Sequence, residues 1–243
     1  MRRLPFFTRP ALILLVATCA TSSTFAQLLT KNVGSIFYPC GLPRGEFKDA
    51  IGITLSKPPE EVVEEFSDVL HAPLVEYIIQ YGMSDDFLLE LRATTIIVSN
   101  HIAVGTKWTL KSTPFATAIG SDVAYWFGSL QIEGFDNSVG GWSMYPHVAL
   151  GWDCGKFKLT MRIELNLLLR QMKRTGEITV QHAANIFNGG SIIFYLEQPL
   201  WKDNYVALAF KCNFMRYYYV VWPGFPTFDR YSYIPEFYVG IVL

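Results

Sequence analysis

Hydrophobic and polar residues alternate with a period of two through Phe157–Arg170. Phe157, Leu159, Met161, Ile163, Leu165, Leu167 and Leu169 share one parity. Lys158, Thr160, Arg162, Glu164, Asn166 and Arg170 share the other, where Leu168 alone is apolar. That period predicts a β-strand with one apolar face and one polar face. The apolar face outlasts an ordinary strand of about five or six residues. It suits the roughly 9–11 residues of a tilted strand that crosses a bilayer in a barrel.

Turn signals divide the chain after residue 47 into about ten such runs. They are Lys48–Ser56, Ala72–Tyr81, Phe87–Ser99, His101–Lys111, Ala116–Leu130, Trp142–Trp152, Lys156–Gln171, Ser191–Leu200, Tyr205–Val220 and Tyr231–Leu243. Glu90, Arg92 and Thr94 oppose Leu89, Leu91 and Ala93 in the third, and Lys211 and Asn213 oppose Leu208, Phe210, Cys212 and Phe214 in the ninth. Tight joins at Gly82–Asp86, Lys111–Pro114, Asp153–Gly155 and Trp201–Asn204 alternate with long ones at Lys57–His71, Gln131–Gly141, Met172–Gly190 and Trp222–Arg230. The join at Asn100 is the short exception. Outer-membrane barrels keep both termini and the short turns on the periplasmic side. The expected fold is therefore all-β: an antiparallel transmembrane β-barrel of about ten strands in an up-and-down meander.

The final run strengthens this. Tyr231, Tyr233, Phe237, Val239, Ile241 and Leu243 share a parity that only Pro235 interrupts. An apolar C-terminal residue with alternating aromatics resembles the C-terminal signal of bacterial outer-membrane β-barrel proteins, with Leu243 where Phe is usual. The resemblance implies barrel architecture, outer-membrane lipid as surroundings and the barrel-assembly machinery as partner through the C-terminal strand. It names no activity.

Composition agrees with that architecture. The chain is 51% hydrophobic and 15% aromatic, yet after residue 26 no run of about 18 apolar residues exists to make a membrane helix. Arg2, Arg3 and Arg9 followed by Ala11–Ala17 read as a signal peptide, with Thr24-Phe25-Ala26 as the cleavage site. The domain plan is a cleavable signal peptide at 1–26, a periplasmic leader at 27–47 that tucks into the barrel mouth, and the barrel at 48–243. The destination is the bacterial outer membrane after export through the inner membrane. Cleavage leaves 17 basic and 21 acidic residues, net −4. Without a polybasic footprint, nucleic acid is not an expected partner.

Parity points Glu76, Glu90, Arg92, Lys107, Asp122, His147, Lys158, Arg162, Glu164, Glu197, Lys211 and Glu236 inward. Near balance of charge is what a narrow lumen filled by its own ion pairs requires. The sharper reading is a path or binding site for an ion or ligand lined by the same groups. His71, His101, His147 and His182 lack metal-ligand spacing, so neither metal nor cofactor is expected. Ser99-Asn100-His101 bears a loose resemblance to the Ser and His of barrel hydrolases that deacylate lipid A. It reads as a turn, and no residue is assigned a catalytic role.

Other features have plainer readings. Cys40, in the leader, and Cys154, in a periplasmic turn, are a candidate disulfide, and Cys212 falls on the lipid parity. Lys57–Leu70 has the pattern of a short helix, which would serve as a lid or partner-binding element; its plainer reading is a capped loop packed on the rim. Tyr125-Trp126-Phe127 and Tyr217-Tyr218-Tyr219 read as interfacial aromatics. The expected role is structural or transport-related. Its alternatives are a small-molecule or ion pore or carrier, a lipid-modifying barrel enzyme, and a secreted soluble β-sandwich or lipocalin-like binder.

Overall fold

In a computed structural model, residues 34–57, 72–96, 98–111, 115–132, 135–201, 204–220 and 230–243 are described. Residues 1–26, read above as a signal peptide, most of the Lys57–Leu70 segment and the join after Val220 lie outside these residues. Ten antiparallel strands form one closed sheet: β1 Phe47–Ser56, β2 Ala72–Ser84, β3 Phe87–Ile96, β4 Ser99–Lys111, β5 Phe115–Ile132, β6 Phe135–Asp153, β7 Lys158–Thr175, β8 Ile178–Pro199, β9 Tyr205–Met215 and β10 Ser232–Val242. Each pairs with its sequence neighbours, and β1 closes the ring on β10 from Ala50↔Val242 to Ser56↔Glu236. This is the expected meander.

The two faces follow the period-two pattern. Ile51, Ile53, Val104, Leu165, Phe237 and Val239 stand outward and exposed, while Thr54, Lys107, Arg162, Glu164, Asn213 and Glu236 stand inward and buried. Polarity is inverted relative to a water-soluble barrel, which buries its apolar face. Small inward residues such as Ala50, Ala118 and Ala207 make room for the long polar ones.

Two long joins differ from expectation. The segments read as Gln131–Gly141 and Met172–Gly190 are mostly strand, because β5–β6 and β7–β8 keep pairing almost to their tips, at Ile132↔Phe135 and Thr175↔Ile178. At about 3.3 Å per residue, the 22 residues of β8 reach roughly 70 Å. Even strongly tilted, that exceeds a hydrocarbon core of about 30 Å. The Gly, Ser and Asn content that signalled loops is accommodated by irregularities, including Gly189 at φ 130° and Asn185 at φ 53°.

Another irregularity moves a charge. Trp142 pairs with Arg170 and Ser143 with Leu168, so Leu169 is an extra residue in β7. A bulge of this kind shifts the side-chain alternation by one. Leu168 stays inward with Trp126, Val139 and Tyr217, but Arg170 turns outward and is exposed. Its expected place on the polar face is thereby corrected.

Closure depends on a tightly filled seam. Tyr238, inward on β10, lies over Gly52 and Gly240. A Cβ at Gly52 would sit 2.4 Å from the Tyr238 ring, and one at Gly240 would sit 2.1 Å from its hydroxyl and 2.9 Å from the Ile51 carbonyl. Gly240→Val is expected to cost about 1–3 kcal/mol by overpacking. The cost should appear as a lower temperature for converting the fast-migrating folded band to the unfolded one in unboiled electrophoresis.

Candidate functional site: an occluded, charged lumen

All twelve residues that the parity placed inside face the lumen. Glu76, Arg92 and Lys211 are half-buried there and the other nine are buried. They form three levels along the axis.

At the short-turn end, irregular chain from residues 34–46 fills the opening. Irregular backbone buried away from water must find hydrogen-bond partners, and the barrel wall supplies them. Glu197, fully buried on β8, accepts from the Ser35 hydroxyl at 2.7 Å and from the backbone N–H groups of Ile36, Phe37 and Tyr38 at 2.7, 3.2 and 2.9 Å. Gln80 donates to the Ile36 carbonyl at 2.9 Å, and Lys107 reaches the Ile36 and Tyr38 carbonyls at 3.3 and 3.4 Å. Lys158 sits 5.1 Å from the centre of the Tyr38 ring. Burial pushes the Tyr38 hydroxyl above its ordinary pKa, and Cys40 and then Asp153 push it further, so it stays a neutral phenol. Phe37 stacks on Tyr195 with centroids 4.1 Å apart.

At the middle level a chain of ion pairs crosses the lumen. Arg92 binds Glu90 at 2.6 Å and lies 3.7 Å from Glu76. Arg162 binds Asp122 at 2.6 Å and Glu164 at 2.9 Å, and its other nitrogen is 3.8 Å from Glu90. Asp122, His147 and Glu164 place one ligand-type atom each within 4.8 Å of one another, as a metal site would. The Arg162 guanidinium occupies that focus, with Nη2 only 3.0 Å from His147 Nδ1. A cation already fills the place that a metal would take.

At the long-loop end, Arg216–Val220 folds into the barrel. Tyr217 and Tyr218 are buried there and Tyr219 is half-buried, which corrects their reading as interfacial aromatics. The Asn188 side chain brackets Tyr217 by accepting from its N–H at 2.8 Å and donating to its carbonyl at 2.9 Å. Tyr218 donates to Glu236, which lies 3.8 Å from Lys211. Burial, and then the Glu236 carboxylate, push the Tyr218 hydroxyl well above its ordinary pKa, so it remains a donor. The other aromatic cluster is split by strand alternation: Tyr125 and Phe127 face out and Trp126 faces in.

Ser99 and His101 are also relocated. They lie within β4, two residues apart, and both point inward. Ser99 donates to the Tyr219 carbonyl at 2.9 Å, while His101 stacks on Tyr219 and has its Nε2 3.3 Å from the Tyr145 hydroxyl. Neither contact is the nucleophile-to-base hydrogen bond that hydrolysis needs. Cys40 and Cys154 are both half-buried near Tyr38 at the short-turn end, and no disulfide joins them. Parity was capable of adding Lys48 and Gln80 to the inward set. Nothing in the local sequence revealed that Ser35–Tyr38 and Tyr217–Tyr219 would be partners for that set.

Two outcomes follow from this geometry. Glu197→Ala removes a charged acceptor of four hydrogen bonds, each of a kind worth about 1.5–3 kcal/mol. Limited proteolysis should then cut within residues 34–46 while the folded barrel band persists. Arg162→Ala takes the bound cation from the buried Asp122 and Glu164, at a cost of about 3–5 kcal/mol. Urea unfolding should show a clearly lower midpoint, partly recovered in Arg162→Lys.

No family model and no curated relative matches the chain. Among solved structures it is similar to Neisserial surface protein A, at 10% identity, 81% of this chain and 96% of that one, with a TM-score of 0.40. The translocator domain of autotransporter NalP from Neisseria meningitidis is 9% identical over 96% of each chain, with a TM-score of 0.41. The N-terminal β-barrel domain of Pseudomonas aeruginosa OprF is 10% identical over 82% of this chain and 100% of that one, with a TM-score of 0.30. The closed ten-strand architecture of the present chain is established by its own strand pairing.

Proposed function

We propose that this chain is a bacterial outer-membrane barrel that is closed at rest and serves a structural role in the membrane. The observation that carries this reading is the lumen, filled at both ends and across its middle. Residues 34–46 fill the short-turn end, the Arg92 and Arg162 ion pairs cross the centre, and Tyr217–Tyr219 fill the long-loop end. The exposed apolar outer wall supports a membrane location, since contiguous apolar surface of this extent does not suit a monomer in water. It weighs against a lipocalin-like binder. Export with cleavage near Ala26, and recognition of β10 by the assembly machinery before β1 closes on it, belong to the same proposal.

A gated pore or carrier is the second reading, favoured by one observation. A cavity of about 60 Å³ beneath Tyr217–Tyr219 and another of about 40 Å³ share Thr54, Glu76, Arg92, Lys211 and Glu236 as walls. Together they leave room for a few waters between the loop and the ion pairs.

Fractionation should recover the protein in outer membranes, with a mobility difference between boiled and unboiled samples. Recovery in the soluble fraction without that difference would remove the membrane reading. In planar bilayers the wild-type barrel should be electrically silent. Discrete conductance steps whose ion selectivity changes in Arg92→Gln would decide for the pore.

A further inference from the structure

Outward-facing strand positions are almost free of charge among the described residues. Asp49 and Lys111 stand near the short-turn end, and the next outward cations up the wall are Arg170 and Arg174 on β7. Neither arginine is ion-paired with a described residue. Both line an outer crevice of about 360 Å³ at the base of the projecting hairpins.

The crevice is a consequence of the local sequence. The extra residue at Leu169 turns Arg170 outward beside Trp142, with Tyr125 on the far side of Trp142. The Tyr125 and Trp142 rings, 4.9 Å apart, form an aromatic wall. Gly140 leaves a notch next to it, where an added Cβ would stand 3.2 Å from the Tyr125 hydroxyl. Arg174 lies four residues further along the same strand, about 13 Å at ordinary strand rise. Below lie Val123, Leu165 and Leu169, all exposed and apolar.

We propose that this crevice binds a phosphorylated lipid of the leaflet on the hairpin side. Arg170 and Arg174 take its phosphate groups, and its acyl chains run down the apolar wall. Arg is suited to this because its fork donates two parallel hydrogen bonds to phosphate oxygens. Tyr and Trp fit the headgroup level. The glycine notch admits a headgroup against the backbone. The proposal rests on the membrane reading above.

Native mass spectrometry of the full-length mature barrel in detergent provides the test, with bis-phosphorylated lipid A and its enzymatically dephosphorylated form as probes. Wild type should retain the phosphorylated form at least about tenfold better. Arg170→Ala/Arg174→Ala should lose that preference. Gly140→Leu, which fills the notch and removes no charge, should lose most of it. Each variant must still show the heat-dependent mobility shift of the folded barrel. Equal retention of both lipids by wild type, or unchanged preference in the double-alanine variant, would overturn the proposal. So would displacement of the lipid by millimolar inorganic phosphate, which would mark a site for the free anion. A wild-type protein that never shows the mobility shift would overturn the membrane reading and this inference with it.

Discussion

Backbone pairing around a closed sheet is the constraint on which this structure depends. An open sheet edge leaves a row of unpaired N–H and C=O groups. The meander therefore closes through β1 and β10. Closure creates an interior, and period-two alternation sends every second side chain into it. The glycines under Tyr238 belong to this requirement, because they let a large ring cover the seam without forcing the strands apart.

Once the outside is apolar, charge collects inside and must be neutralised there. A buried charge is tolerable only when paired and hydrogen-bonded. Arg162 meets this condition by engaging Asp122 and Glu164 while lying near Glu90 and His147. The same condition explains why irregular chain is stable at the short-turn end. Three consecutive backbone N–H groups converge on Glu197, and carbonyls of the same segment meet Gln80 and Lys107. The lumen is thus a folded core made of polar groups. That gives it the packing of an interior without the apolar composition of one.

The strand pattern was legible because alternation and turn chemistry act locally. Ten runs and the alternation of two faces could be read from residue order. Errors arose where local signals have two structural solutions. Gly-rich and Asn-rich stretches at residues 131–141 and 172–190 signalled loops, but cross-strand pairing carries them as projecting hairpins. Ser99 and His101 looked like turn residues and are instead strand residues facing the lumen. Tyr217–Tyr219 looked like interfacial aromatics, yet the chain folds back and buries them.

By itself the sequence determined the outward and inward faces along most of each strand, since a period of two is a property of the extended chain. It also determined that the lumen would be nearly balanced in charge. Only the tertiary structure decided which charges meet: Arg92 with Glu90, Arg162 with Asp122 and Glu164, and Glu197 with residues 35–38. Those pairings depend on strand register and on segments far apart in the chain. The outward turn of Arg170 was decided there too, because a single bulge at Leu169 overrides the parity that residue order implies.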